Sequence, residues 1–173
     1  EVVRPRESNI HQIAIATSGD LWLGGTDLYR CASEKFHHLA EMPEPADTLF
    51  FMRQRSNGEL WCVSCGGDLT IYTEGRFNRL KSGISGFTED PTGVIWLTSH
   101  EDGLLRYDGA SFQAVQKSEG SFYRDPCLDQ EGRLWCGTYG HGLYCYDTTR
   151  FEVFREAQGL PARQVTCLAE DTE

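Results

Sequence analysis

One pattern returns four times along the chain and limits what it can fold into: a glycine, then, three residues later, a tryptophan between apolar residues. The tryptophans Trp22, Trp61, Trp96 and Trp135 are 39, 35 and 39 residues apart. A fixed period of roughly 20–50 residues marks solenoids, propellers and arrays. Gly19, Gly58, Gly93 and Gly132 precede them, so Ser18-Gly19, Asn57-Gly58, Thr92-Gly93 and Glu131-Gly132 read as tight hairpin turns in which glycine takes a positive φ without a steric penalty. After each turn, Leu21-Trp22-Leu23, Leu60-Trp61-Cys62, Ile95-Trp96-Leu97 and Leu134-Trp135-Cys136 put apolar side chains on both sides of the pleat, the mark of a strand buried on both faces.

Eleven residues after three of the tryptophans stand Tyr72, Tyr107 and Tyr146; the first repeat reaches the same place after nine, at Cys31. With a two-residue turn such as Gly140-His141, Trp135 and Tyr146 would face each other as a cross-strand aromatic pair. Losing two residues at that turn leaves every side chain of the first repeat on its own face. Five residues further come Phe36, Phe77, Phe112 and Phe151. The glycine turn and the turn before the phenylalanine therefore keep one length. The tryptophan-to-aromatic turn and the link from phenylalanine to the next tryptophan (25, 19 and 23 residues) do not. In an up-and-down sheet of four strands, alternate turns lie at opposite ends, so the variable connections share one end. Variable loops on a constant frame are where binding is usually built.

An all-β chain is expected, because 12% of residues are aromatic, glycines number 18, and helical periodicity is scarce. Residues 1–7 read as the outer strand of a preceding unit. Residues 9–39, 46–80, 84–115 and 121–154 read as four complete units, and 163–173 as the start of the next. The formal charge of −10 argues against non-specific contact with nucleic acid or an anionic membrane. No apolar run approaches the roughly 18 residues that span a bilayer, and no leader is expected, since Glu1 falls inside a repeat.

The string G-x-L-W-x-G-T-x-x-G-L-x-x-Y-D-x-x-x-x-F, followed by G-L-P-x-x-x-V, resembles the two-component regulator propeller repeat. The fourth unit matches best, through Gly132, Trp135, Gly137, Thr138, Gly142, Leu143, Tyr146, Asp147 and Phe151, then Gly159-Leu160-Pro161 and Val165. The third keeps Gly93, Trp96, Gly103, Leu104, Tyr107, Asp108, Gly109 and Phe112, with Thr98-Ser99 in place of Gly-Thr; the first two drift further. The resemblance implies a β-propeller of four complete four-stranded blades plus parts of two flanking blades, a fragment of a larger ring. A small ring closed by residues 1–7 and 163–171 is the weaker alternative. The resemblance also implies a periplasmic sensory segment of a bacterial signalling regulator, without a fixed catalytic motif, working beside adjoining blades and signalling domains.

The variable end supplies the candidate ligand residues Asp27, Asp68, His100, Glu101, Asp102, Tyr139 and His141, with Glu44, Asp47, Arg155 and Arg163 from the longer links. Carboxylates and imidazoles beside an aromatic ring suit the hydroxyls and ring faces of a small polar or carbohydrate-derived ligand. The alternatives are a protein-docking module and, more weakly, a hydrolase or lyase fragment. The sialidase box is not met: the positions seven and five before each tryptophan hold Ile15/Thr17, Gln54/Ser56, Glu89/Pro91 and Leu128/Gln130. No catalytic residue, metal or cofactor is expected. Cys62 and Cys65, three apart on a strand entering a turn, face opposite sides and clamp a metal poorly. Cys136 and Cys145 would be cross-strand neighbours around a Gly140-His141 turn, as packed thiols rather than a disulfide.

Overall fold

The computed structural model describes residues 9–41, 48–116 and 123–170. Glu44, Asp47 and the expected outer strand 1–7 lie outside the described residues. The chain divides into two compact units, Glu1–Ser82 and Gly83–Glu173. Each described unit consists of two four-stranded antiparallel sheets, and every sheet is a simple meander in chain order. The first unit holds β1 (Ile10–Ile15), β2 (Leu21–Gly25), β3 (Asp27–Ala32) and β4 (Lys35–Glu41), then β5 (Leu49–Gln54), β6 (Leu60–Ser64), β7 (Leu69–Thr73) and β8 (Arg76–Lys81). The second holds β9 (Ile84–Glu89), β10 (Ile95–Ser99), β11 (Gly103–Tyr107) and β12 (Phe112–Gln116), then β13 (Tyr123–Leu128), β14 (Leu134–Thr138), β15 (Leu143–Tyr146) and β16 (Phe151–Phe154).

The tryptophan strands are the buried ones: β6 and β10 are buried at every position. The glycine turns form as expected. In the fourth sheet, the Gly132 N–H donates to the Asp129 carbonyl at 2.9 Å and the Asp129 N–H to the Arg133 carbonyl at 3.0 Å. Gly132 has φ +77°. This three-residue loop ends in the left-handed region, which glycine enters freely.

The register differs from the expectation by one residue. Trp135 faces Cys145, while Tyr146 faces Leu134. The other sheets agree, with Trp22 opposite Arg30, Trp61 opposite Ile71 and Trp96 opposite Arg106. The cause is the turn. Thr138 N–H donates to the Gly142 carbonyl at 3.1 Å, which leaves three residues, 139–141, in the loop rather than two. An odd loop moves each pairing by one and puts tryptophan and tyrosine on opposite faces. It also separates Cys136, which faces Tyr144, from Cys145, so these cysteines are not cross-strand neighbours. All seven cysteines are free thiols.

The tyrosines pair between sheets instead. Tyr72 meets Trp22 edge-on with centroids 6.4 Å apart, and Tyr146 meets Trp96 at 5.6 Å. Each unit thus has a core in which the tryptophan face of its first sheet packs on the tyrosine face of its second. In the first unit, Ala16, Trp22 and Leu28 meet Met52, Leu60 and Cys62; in the second, Trp96 and Leu104 meet Leu134, Cys136 and Tyr144. Tyr72 and Phe77, or Tyr146 and Phe151, close the outer margin.

A polar latch holds the tryptophans. Asp129 accepts the indole N–H of Trp135 at 2.8 Å and the Arg133 Nε–H at 2.7 Å, and its other oxygen accepts the backbone N–H groups of Glu131 and Arg133. Burial alone would raise this carboxyl, but the donors outweigh it and hold its pKa at about 2. Asp90 takes the Trp96 indole at 3.1 Å, and Glu59 takes that of Trp61 at 3.0 Å. In the first repeat, Ala16 stands at the aspartate position, and the buried Trp22 indole N–H finds no acceptor among the described residues.

Candidate functional site

The meander order places the β2–β3, β6–β7, β10–β11 and β14–β15 turns at the same end of their sheets as the links to the following sheet. This is the variable end. A hydroxyl three residues after the tryptophan organises three of the turns. Ser64 Oγ accepts from the Asp68 N–H at 3.2 Å, Ser99 Oγ from the N–H groups of Glu101 and Asp102 at 3.3 and 3.1 Å, and Thr138 Oγ1 from the His141 N–H at 3.1 Å. All three hydroxyl residues are buried. The loop backbones are therefore fixed from below while their side chains project outward. The shorter first turn has Gly25 there instead.

In the first unit, the candidate acids among the described residues of this end, Asp27 and Asp68, both have partners. Asp27 opens β3 and lies 3.6 Å from Nε2 of His38. Asp68 accepts from Ser82 Oγ at 2.6 Å and from an Arg79 guanidinium N–H at 3.0 Å. The Ser82 hydroxyl is the main cause, with Arg79 adding to it, of a pKa held below the ordinary carboxylate range.

In the second unit, His100, Glu101 and Asp102 occupy the β10–β11 turn, and Tyr139 and His141 the β14–β15 turn. The fourth sheet's link folds back on its own turn. Tyr139 forms a β-bridge with Gln164, and the Gly142 N–H donates to the Arg163 carbonyl at 2.8 Å. A Cβ on Gly142 would lie 3.3 Å from Arg155 Cγ. Arg155 precedes a one-turn 3-10 helix, Glu156–Gln158, whose Glu156 accepts from Arg163 Nε at 2.7 Å. That pairing lowers the Glu156 pKa. The backbone segments that carry Tyr139, His141, Arg155 and Arg163 are thereby brought together, and Tyr139 is 55% exposed. His100, Glu101 and Asp102 lie on the neighbouring sheet of the same unit.

Cys62 is buried on β6 and Cys65 exposed beyond it, and among the described residues no three metal-ligating side chains stand close enough to hold an ion. The sequence reading missed His38, Ser82 and Glu156, which stand beside Asp27, Asp68 and Arg163. It also missed Asp90 and Asp129. Their signal was present: both repeats read D-x-x-G-x-x-W.

No protein-family model matches the chain, and no curated protein matches it. Solved structures do, and they show a fold of β-propeller domains shared by lyases and two-component sensor ectodomains. The chain is similar to the extracellular domain assigned to a hybrid two component system of B. thetaiotaomicron, at 18% identity and a TM-score of 0.76, over 99% of this chain and 27% of that one. A second extracellular domain from the same organism is 21% identical with a TM-score of 0.72, over 95% of this chain and 25% of that one. Virginiamycin B lyase from Staphylococcus aureus is 13% identical with a TM-score of 0.72, over 88% of this chain and 57% of its own. The chain thus spans from about a quarter to somewhat over half of the structures it matches. Among the described residues no helix is long and apolar enough to cross a membrane.

Proposed function

We propose that this chain is a ligand-binding segment of an extracytoplasmic sensor in a bacterial two-component system, working beside adjoining domains. The carrying observation is the exposed Tyr139, on a turn that also carries His141 and is pinned by Thr138 and by the folded-back link bearing Arg155 and Arg163. An aromatic face flanked by hydrogen-bonding and cationic groups suits a saccharide with a carboxylate or sulfate. His100, Glu101 and Asp102 extend the polar surface available in the same unit. Similarity over nearly the whole chain to extracellular sensor domains supports this reading and the location.

Binding without turnover is part of the proposal. At this end, Asp68 and Glu156 are shifted down by their partners. A general acid needs the opposite shift. The test is thermal unfolding against neutral and acidic oligosaccharides. A ligand at a hundred times its Kd stabilises by about 2.7 kcal/mol, roughly 5–10 °C for a chain of this size. Tyr139→Ala should abolish the shift while leaving the ligand-free midpoint in place. A shift that survives both Tyr139→Ala and Arg163→Ala would overturn the assignment, and cleavage of the saccharide during incubation would overturn the non-catalytic part.

A further inference from the structure

We propose that the β1–β2 turn of the first sheet is a binding site for a small carboxylate of one or two carbons, such as formate or acetate. The ligand takes the place that an aspartate side chain fills in the third and fourth sheets. Two observations carry it. The buried indole N–H of Trp22 has no acceptor among the described residues, and the rest of the cradle that holds a carboxylate against such an indole is built around it.

In the third sheet, one oxygen of Asp90 accepts the Trp96 indole N–H at 3.1 Å, and the other accepts the backbone N–H groups of Thr92 and Val94 at 2.9 and 3.1 Å. Asp129 does the same for Trp135, Glu131 and Arg133 in the fourth. The first sheet repeats this loop bond for bond. The Ala16 N–H donates to the Asp20 carbonyl at 2.8 Å and the Gly19 N–H to the Ala16 carbonyl at 2.9 Å, just as Asp90 bonds to Val94 and Gly93 to Asp90 at 2.9 Å each. Gly19 has φ +86°, and so has Gly93. The strand register agrees as well, with Ile15 opposite Leu21 and Glu89 opposite Ile95. The N–H groups of Ser18 and Asp20 and the Trp22 indole therefore face the volume beside Ala16 Cβ where Asp90 and Asp129 carry their carboxylates.

The nearest acid of the first sheet is turned elsewhere. The second sheet has Arg55 at the aspartate position and supplies Glu59 instead, which accepts the Trp61 indole N–H at 3.0 Å. Asp20 stands where Glu59 does but is one methylene shorter, and its carboxylate accepts from the Arg30 guanidinium and, at 2.9 Å, from the Ser18 hydroxyl. Those two partners hold its pKa below the ordinary carboxylate value. Arg30 also brings positive charge to the indole. Its guanidinium lies 5.5 Å over the Trp22 ring, as that of Arg133, which bonds to Asp129, lies 5.4 Å over Trp135. A carboxylate seated here meets two backbone donors, the indole and a nearby cation, and it satisfies a buried donor that is costly to leave unpaired. Ala16 belongs to the first unit's core, which limits the ligand to about the size of the side chain it replaces.

The Trp22 indole reports binding directly. In the 15N-labelled full chain, sodium formate should move the Trp22 indole proton resonance downfield and saturably, against sodium chloride at equal ionic strength. The indole resonances of Trp61, Trp96 and Trp135 should stay in place, and Trp22→Phe assigns the signal. At ten times its Kd, formate should raise the thermal midpoint by about 3–6 °C over chloride, and sodium butyrate should do neither. Ala16→Asp supplies the carboxylate covalently, so it should put the resonance downfield without formate and abolish both responses. Asp20→Glu, which reaches the indole as Glu59 does, should weaken the formate response and serves the same purpose should Ala16→Asp not fold. A Trp22 resonance that follows formate and chloride alike would overturn the proposal. So would a formate response that persists undiminished in both variants.

Discussion

The pairing of Trp96 with Tyr146 can be separated from every other aromatic contact by a double-mutant cycle. Their rings lie 5.6 Å apart at 58°, on different sheets of the second unit. Trp135 and Tyr146 are on neighbouring strands of one sheet, but on opposite faces. Leucine is the useful replacement, since it keeps part of the apolar area; each single change should cost roughly 2 kcal/mol. The Tyr146 hydroxyl donates outward to the Thr148 carbonyl, so the coupling reports on the ring. An aromatic pair is worth about 0.5–1.5 kcal/mol beyond area burial, and Trp96→Leu with Tyr146→Leu should show a coupling of about 1 kcal/mol. With a urea slope of about 2 kcal/mol/M, that is a departure from additivity of about 0.5 M in midpoint. Trp135→Leu with Tyr146→Leu should be additive to within about 0.3–0.5 kcal/mol. The opposite ranking would mean that tryptophan and tyrosine pair across strands within one sheet, and the assigned register would be wrong throughout.

Further expectations concern the turns, the latch and the thiols. Gly142→Ala forces a Cβ to 2.2 Å from the Phe154 carbonyl at φ +93°, whereas Gly140→Ala meets nothing within 4 Å at φ +91°. The second should cost about 1 kcal/mol from conformation alone and the first clearly more, read as thermal midpoints. Asp129→Asn should destabilise most at neutral pH. The folded carboxyl is held at about 2 against 3.8 when free, so its contribution is full above about pH 4 and fades as the pH falls towards 2. Acid-dependent unfolding curves of wild type and variant should therefore converge there. In thiol titration, Cys65 and Cys167 should react first. Cys62 and Cys136 should react only on unfolding, because burial both hides these thiols and pushes their pKa up.

Much of the frame was legible because it rests on short-range rules. The glycine at positive φ, the apolar triplets and the alternating turn lengths are each a few residues long, and each repeats. The register was not legible, since it depends on whether the 139–142 loop closes on two residues or three. That choice is made by the Thr138 hydroxyl and by contacts from Arg163 and Phe154, which arrive from more distant sequence. The candidate site shows the same division. Spacing placed Asp68 and Asp27 at the loop end, but their partners Ser82 and His38 lie on or beyond the outer strand, and only the fold brings them near. Tyr139 and His141 were readable as loop residues; their company with Arg155 and Arg163 was not, because it comes from a link folding back.

The one-residue register has a further consequence. Had tryptophan and tyrosine faced each other, each sheet would have one rich aromatic face and one poor one, and two sheets could bury their rich faces by meeting front to front. With the rings on opposite faces, no sheet satisfies itself or an identical partner in that way. A tryptophan face needs a tyrosine face, so the stacking runs in one direction. On the Cys31 face of the first sheet, Ile13, Ile15 and Phe36 are 62, 74 and 68% exposed. The corresponding Met52 and Phe77 of the second sheet belong to the first unit's packed core. Aromatic alternation in the sequence, more than any single contact, decides which face of one sheet meets which face of the next within each unit.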